Sequence, residues 1–145
     1  MCISDSTLAN YPMHVDLKTR WRDLDAFGHV NNAVFATYIE TARGMLFEKW
    51  DLPFDGKGKS LTVAALSINY LKQLKHPTSI VVGQRINRIG NKSFDVESSI
   101  FKKGFHEDPI AVSKVIIVCF DFDKQKSVPV FKQIINEYNL YKEKL

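Results

Sequence analysis

The stretch NNAVFATYIETARGMLFEKW, residues 31–50, most limits what this chain can become. Val34, Phe35, Tyr38, Ile39, Ala42, Met45, Leu46 and Trp50 recur at three- and four-residue intervals, which predicts one long helix with a single apolar stripe. Asn31 or Asn32 is a natural N-cap, since either amide oxygen can accept from a backbone N–H two or three residues on. Gly44 weakens the helix by up to about 1 kcal/mol, a weakness explained if another backbone approaches there. Pro53 and DGKGK then end the segment as an exposed loop.

Around this helix the period changes from helical to alternating. MHVDLKTRW runs through Val15, Leu17, Thr19 and Trp21 as a first strand. From residue 61, LTVAALSINYLK, SIVVGQRINRIG and KSFDVESSIFKK are rich in β-branched and aromatic residues. In the third of these, Phe94, Val96 and Ile100 share one face and Asp95, Glu97 and Ser99 the other. GFHED turns the chain into PIAVSKVIIVCFDFD, which is apolar on both faces and so calls for cover on both, by the helix and by another subunit. VPVFKQIINEYNLYKEK reads as a closing helix with Pro129 near its start. The predicted order is β–α–β–β–β–β–α, an α+β chain whose sheet has one face left for an oligomeric partner.

A length of 145 residues suits one domain, spanning 1–145, with a sizeable core. No window approaches the roughly 18 apolar residues of a membrane span. The start MCISDSTLANYPMHV has neither the basic flank nor the apolar core of a signal peptide, so a cytoplasmic protein is expected. Cys2 falls at an expected frayed terminus, and Cys119 sits in the apolar run VIIVCF as a buried, unreactive thiol. His14, His29, His76 and His106 have no metal-ligand spacing, and no metal is expected. The net charge is +4, but Asn69 to Phe105 holds seven Lys or Arg against two acidic residues, a local +5. Such a stretch suits solvated strand faces or a phosphorylated ligand. The aromatics there fit core positions better than a base-stacking platform, so nucleic acid is not the expected partner. GKGKS fails as a phosphate loop because Pro53 occupies the place of its first glycine.

DLDAFGHVNN, residues 23–32, gathers polar chemistry immediately before the helix. A helix start offers unpaired N–H groups and partial positive charge to a developing oxyanion, and a carboxylate just before it can attack a carbonyl or activate water. Asp25, His29, Asn31 and Asn32 are spaced for that combination, and Gly28 allows a positive φ. Each has a plainer reading. Asp23 suits a partner for Arg20, Arg22 or Arg43, Asp25 an Asx turn, His29 a hydrogen-bonded residue under the helix, and the asparagines simple caps. Physical reasoning thus reaches carbonyl chemistry without naming a substrate.

DLDAFGHVNNAVFATYIETAR resembles the signature of hotdog-fold thioesterases of the 4-hydroxybenzoyl-CoA thioesterase type and is similar to the corresponding segment of plant acyl-ACP thioesterases. SINYLKQLKHPTSIVVGQRINRIGNKSFDVESSIFKK extends the resemblance over roughly residues 13 to 130. It implies a hotdog fold, an antiparallel sheet wrapped around a long central helix, assembled as a homodimer or homotetramer with the active site at the subunit interface. It implies an acyl-CoA thioesterase that needs no cofactor, CoA being part of the substrate. By position, Asp25 becomes base or nucleophile, the Asn32 backbone N–H polarises the thioester carbonyl, and His29 and Asn31 orient the reacting groups. Lys92 and, more weakly, Arg88 would meet the CoA phosphates. Val63 to Asn69 would line the site from the facing strand, with Ser67 as a contact. The plant pattern carries asparagine where this chain has Phe27, which favours CoA over carrier protein and gives Phe27 the acyl pocket to shape. Two other readings stay open: an enoyl-thioester hydratase or dehydratase on the same fold, and a non-catalytic acyl-CoA-binding module.

Overall fold

The computed structural model describes residues 7–142, so Cys2 lies outside the described residues. Strand β1 is Met13–Lys18, followed by helix α1, Asn32–Lys49, then β2, Lys59–Tyr70, β3, Ser79–Ile89, β4, Ser93–Lys102, and β5, Ala111–Asp121. A two-residue β6, Lys126–Ser127, and helix α2, Lys132–Tyr141, complete the chain. The sheet order is β1-β3-β4-β5-β2, with β6 against β5. β1 runs antiparallel to β3, from Met13 opposite Gln84 to Lys18 opposite Ser79. This is the α+β, hotdog-type antiparallel sheet with one long and one C-terminal helix that the resemblance implies. No described helix is long and apolar enough to cross a membrane.

The helix forms over the expected residues, but its stripe is narrower. Phe35, Tyr38, Ile39, Ala42, Leu46 and Trp50 are buried, whereas Met45 is 51% exposed. At about 100° per residue, Met45 lies about 90° from the line through Phe35, Ile39, Ala42 and Leu46, outside the covered face. Among the described residues outside the helix's own backbone, Gly44 has no neighbour within 4 Å of a would-be Cβ, so no backbone of the same chain approaches it there. The first strand ends at Lys18, and Trp21 opens a short 3₁₀ turn, 80% exposed, instead of continuing the alternation. That turn is closed by the Asp23 carboxylate, which outcompetes the strand pattern.

Burial follows place in the sheet more than side-chain polarity. On the interior strand β4, Asp95, Glu97, Ser98 and Ser99 are buried along with Phe94, Val96, Ile100 and Phe101. The edge strand β2 is exposed from Val63 through Ser67 despite its apolar sequence. On β5, Val115, Ile117 and Cys119 are buried while Ile116, Val118 and Phe120 stay half-buried, so only one face is fully covered within the chain.

The chain divides into two compact units. The first holds the described residues of Met1–Ala42 with Ile68–Arg85 and Ser98–Ser113. In it Leu8, Tyr11, Val81 and Phe101 cluster, with the Tyr11 and Phe101 rings edge-on and their centroids 6.1 Å apart. A Cβ at Gly83 would fall 2.8 Å from Cγ of Tyr11, so only glycine lets that ring lie against β3. The second unit holds Arg43–Ser67 and Ile86–Glu97 with the described residues of Lys114–Leu145. There Trp50 meets Phe94 edge-on with centroids 5.8 Å apart, and Lys49 pairs with Glu137 at 2.6 Å. Cys119 is fully buried, and burial pushes its thiol up to about 11, which keeps it protonated and unreactive at neutral pH.

Candidate active site

The polar segment splits into a buried anchor and an open loop. Asp23 is 1% exposed. Its Oδ2 accepts from the Arg20 backbone N–H at 2.8 Å and from the Tyr38 hydroxyl at 2.5 Å, while Oδ1 meets the Arg20 guanidinium at 2.9 Å. Burial by itself raises the pKa of such a carboxyl, but the hydrogen bonds from Tyr38 and Arg20, with the Arg20 charge, carry it below the ordinary value. Burial and the same carboxylate push the Tyr38 phenol in the opposite direction, upward. Of the three arginines suggested for Asp23, the structure selects Arg20. Tyr38, two turns into α1, is the partner that sequence reasoning missed, hidden because it read only as part of the apolar stripe.

Beyond the anchor the chain makes a narrow loop. Leu24 bridges Val30, Asp25 N–H donates to the His29 carbonyl at 2.8 Å, and Gly28 takes φ 79° at the tip. The Asp25 carboxylate accepts the Phe27 and His29 backbone N–H groups at 2.8 and 3.3 Å, both on Oδ1. This is the Asx turn of the plainer reading, yet among the described residues nothing engages Oδ2. Val30 N–H donates to the Leu74 carbonyl at 2.7 Å and fixes the loop to the segment after β2.

The helix start supplies the second element. Asn31 caps α1, its Oδ1 accepting Ala33 N–H at 2.9 Å and its carbonyl accepting Val34 N–H at 2.9 Å. The Asn32 N–H meets no acceptor among the described residues, while the Asn32 carbonyl accepts the Tyr70 hydroxyl at 2.9 Å. An unpaired helix N-terminal donor can hold an oxyanion.

Asp25, Phe27, His29, Asn32, Tyr70 and Lys72 face a common cleft of about 430 Å³. The structure thus brings Asp25, His29 and Asn32 together. Asn31 does not line the cleft, because its amide is turned into the helix as a cap. Phe27 lines it while 85% exposed. Tyr70 at the end of β2 and Leu71 to Gln73 just after it line the cleft, and Val63 to Asn69 are not among its lining residues. Ser67, Arg88 and Lys92 belong to the second unit and are not among the lining residues. Ser67 is exposed on β2, and Lys92 is exposed with its carbonyl accepting Cys119 N–H at 3.0 Å. Arg88 donates to Asp95 at 2.9 Å and Ser93 at 3.1 Å, and the Asp95 hydrogen bond raises its pKa further. Its guanidinium therefore neutralises a buried carboxylate. Among the described residues no three His, Cys, Asp or Glu side chains gather as a metal-binding group.

A family model described as the thioesterase-like superfamily matches residues 19–136. A chloroplastic acyl-acyl carrier protein thioesterase of Arabidopsis thaliana is 31% identical over 127 residues, covering 86% of this chain and 66% of the relative. A second such Arabidopsis thaliana enzyme is 32% identical over 110 residues, covering 74% of this chain and 58% of the relative. The chain thus spans a little under two thirds of the length of these relatives. Among solved structures, a thioesterase of Thermus thermophilus complexed with coenzyme A and zinc superposes with a TM-score of 0.78. It is 28% identical, with 92% of this chain and 97% of that one covered.

Proposed function

Because this chain belongs to the thioesterase-like superfamily, we propose that it hydrolyses an acyl-CoA thioester to the free acid and CoA in the cleft beside α1. The observation that carries this reading is the pairing of an unengaged Asp25 Oδ2 with an unpaired Asn32 N–H on one cleft wall. A thioester whose carbonyl oxygen accepts the Asn32 N–H presents its carbon to Asp25 or to a water beside it. Acting as base, Asp25 takes a proton from that water as its oxygen bonds to the carbonyl carbon, and the negative charge moves to the carbonyl oxygen. The Asn32 N–H and the positive end of the helix stabilise that charge. Collapse of the adduct breaks the C–S bond, and the thiolate takes the proton back from Asp25. Acting as nucleophile, Asp25 bonds to the carbonyl carbon as the C–S bond breaks and CoA leaves as thiolate; water then opens the resulting anhydride to the free acid and the Asp25 carboxylate, and the proton released goes to the thiolate. His29 orients the water or the acyl group, and Phe27 supplies the apolar wall. The reaction consumes only water and the thioester.

The exposed apolar face of β2 is read as the edge along which a second copy pairs, giving a homodimer or a dimer of dimers. The free, buried Cys119 suits a reducing cytoplasm. The test is thiol release across a panel of acyl-CoAs of graded chain length, with crotonyl-CoA included. Free thiol from any of them sustains hydrolysis. Conversion of crotonyl-CoA to a hydroxyacyl-CoA without thiol would replace hydrolysis by hydration, and tight binding with no turnover would leave a binding module.

A further inference from the structure

The cleft that holds Asp25 has two walls. One is the polar loop with the start of α1, and the other is the end of β2 with the segment after it. The Val30 N–H joins them through the Leu74 carbonyl at 2.7 Å. The Tyr70 hydroxyl joins them again by donating to the Asn32 carbonyl at 2.9 Å. Packing does not explain this second bond. The Tyr70 ring has its own contact, edge-on to the buried Phe35 with centroids 5.3 Å apart. Tyr70 is 46% exposed, so its hydroxyl would gain nearly as much from water. The reaction above does not use it either.

The effect of the bond is local to Asn32. The peptide before that residue is held at its carbonyl, where Asn31 accepts the Val34 N–H at 2.9 Å. The peptide after it is held at both ends. Ala33 N–H donates to Asn31 Oδ1 at 2.9 Å, and the Asn32 carbonyl takes the Tyr70 hydroxyl. A donor on that carbonyl also polarises the peptide and strengthens the Ala33 N–H in the cap. With both flanking planes fixed, the unpaired Asn32 N–H is left a single direction.

We infer that Tyr70 is a positioning residue for the hydrolysis, its hydroxyl fixing the direction of the Asn32 N–H and the distance of that donor from the strand wall. This rests on the acyl-CoA reading, in which the Asn32 N–H takes the developing oxyanion. Such a donor acts through its aim, because the charge it meets builds up on the thioester oxygen only in the transition state. A misplacement of about 1 Å can cost about 100-fold in rate. Loss of the Tyr70 hydroxyl frees one of the two planes beside the donor and leaves the other held, so a smaller loss is expected.

The experiment compares the parent with Tyr70→Phe, which removes the hydroxyl and keeps the ring against Phe35. Thiol release from an acyl-CoA gives kcat and KM, and urea titration gives the unfolding midpoint. Tyr70→Phe is expected to lower kcat about tenfold, with KM within about twofold of the parent and the midpoint unmoved. A second readout needs no turnover. An acyl-CoA isotopically labelled at the thioester carbonyl carbon is bound to Asp25→Asn and to Asp25→Asn/Tyr70→Phe, and infrared difference spectroscopy reads the carbonyl stretch. A hydrogen bond from the Asn32 N–H lowers that frequency, and the double variant should return part of the lowering. Unchanged kcat and an unchanged band overturn the assignment, as does a fall in kcat that only follows a lowered midpoint. A raised KM with kcat intact also overturns it, since Tyr70 would then be a plain substrate contact. A parent that binds acyl-CoA but releases no thiol refutes hydrolysis, while the carbonyl band still shows whether Tyr70 aims the Asn32 N–H.

Discussion

Asp23 and Asp25 stand two residues apart in the same loop, yet their surroundings are opposite. Asp23 is sealed under α1, with Arg20 and Tyr38 on its carboxylate and the Asn31 N–H on its carbonyl. Asp25 faces the cleft with one oxygen held by the loop backbone and the other unoccupied. The first fixes where the helix begins; the second uses that beginning. The contrast teaches that an acidic residue next to a helix start acquires its role from what reaches it across the fold, since local spacing serves both.

The sharpest way to break this comparison is to neutralise each carboxyl in turn. Asp25→Asn should lower kcat for acyl-CoA hydrolysis about 1000-fold while unfolding stability stays within about 0.5 kcal/mol of the parent, as read by thiol release and urea titration. Full activity in that variant would remove Asp25 from the chemistry. Asp23→Ala should do the reverse in kind, costing about 3 kcal/mol of stability by stranding the buried Tyr38 hydroxyl and the Arg20 backbone N–H. Its loss of activity should track the loss of folded protein.

A finer cut is Tyr38→Phe, which removes one donor to Asp23 and leaves Arg20 in place. The expected cost is about 1–2 kcal/mol of stability, read from urea titration. Acid sharpens the same point. The folded Asp23 has a lowered pKa, so its contribution is present above the ordinary carboxylate value of about 3.9 and fades as pH falls below it. The parent should therefore lose stability below about pH 4 more steeply than an Asp23→Asn variant. The smallest effect calibrates the others. Gly44→Ala, in a helical position with open space around it, should stabilise by about 0.5–1 kcal/mol without touching either carboxylate.

How much of this was visible in the sequence depends on how local the cause was. The helix and the succession of strands along the chain follow from periodicity, and the Asn31 cap and the positive φ of Gly28 follow from residue type. Trp21 misleads because a side chain two residues on, that of Asp23, folds the backbone into a turn where alternation predicts a strand. Met45 misleads because period alone cannot state how wide a stripe the sheet will cover. Tyr70 and Lys72 enter the cleft through the Val30 to Leu74 hydrogen bond, a contact between segments more than forty positions apart that no spacing rule contains. Polar β4 is buried and apolar β2 is exposed because strand order, which depends on every strand at once, decides which of them is interior.

That edge strand has a bearing on handling the protein as well as on its assembly. From Ser60 to Leu71 there is neither a charge nor a proline, the usual deterrents to stray strand addition. A bare, uncharged edge strand of this kind is a template for cross-β growth. Solubility, more than folding, is then the property that the proposed pairing of β2 with a second copy would protect.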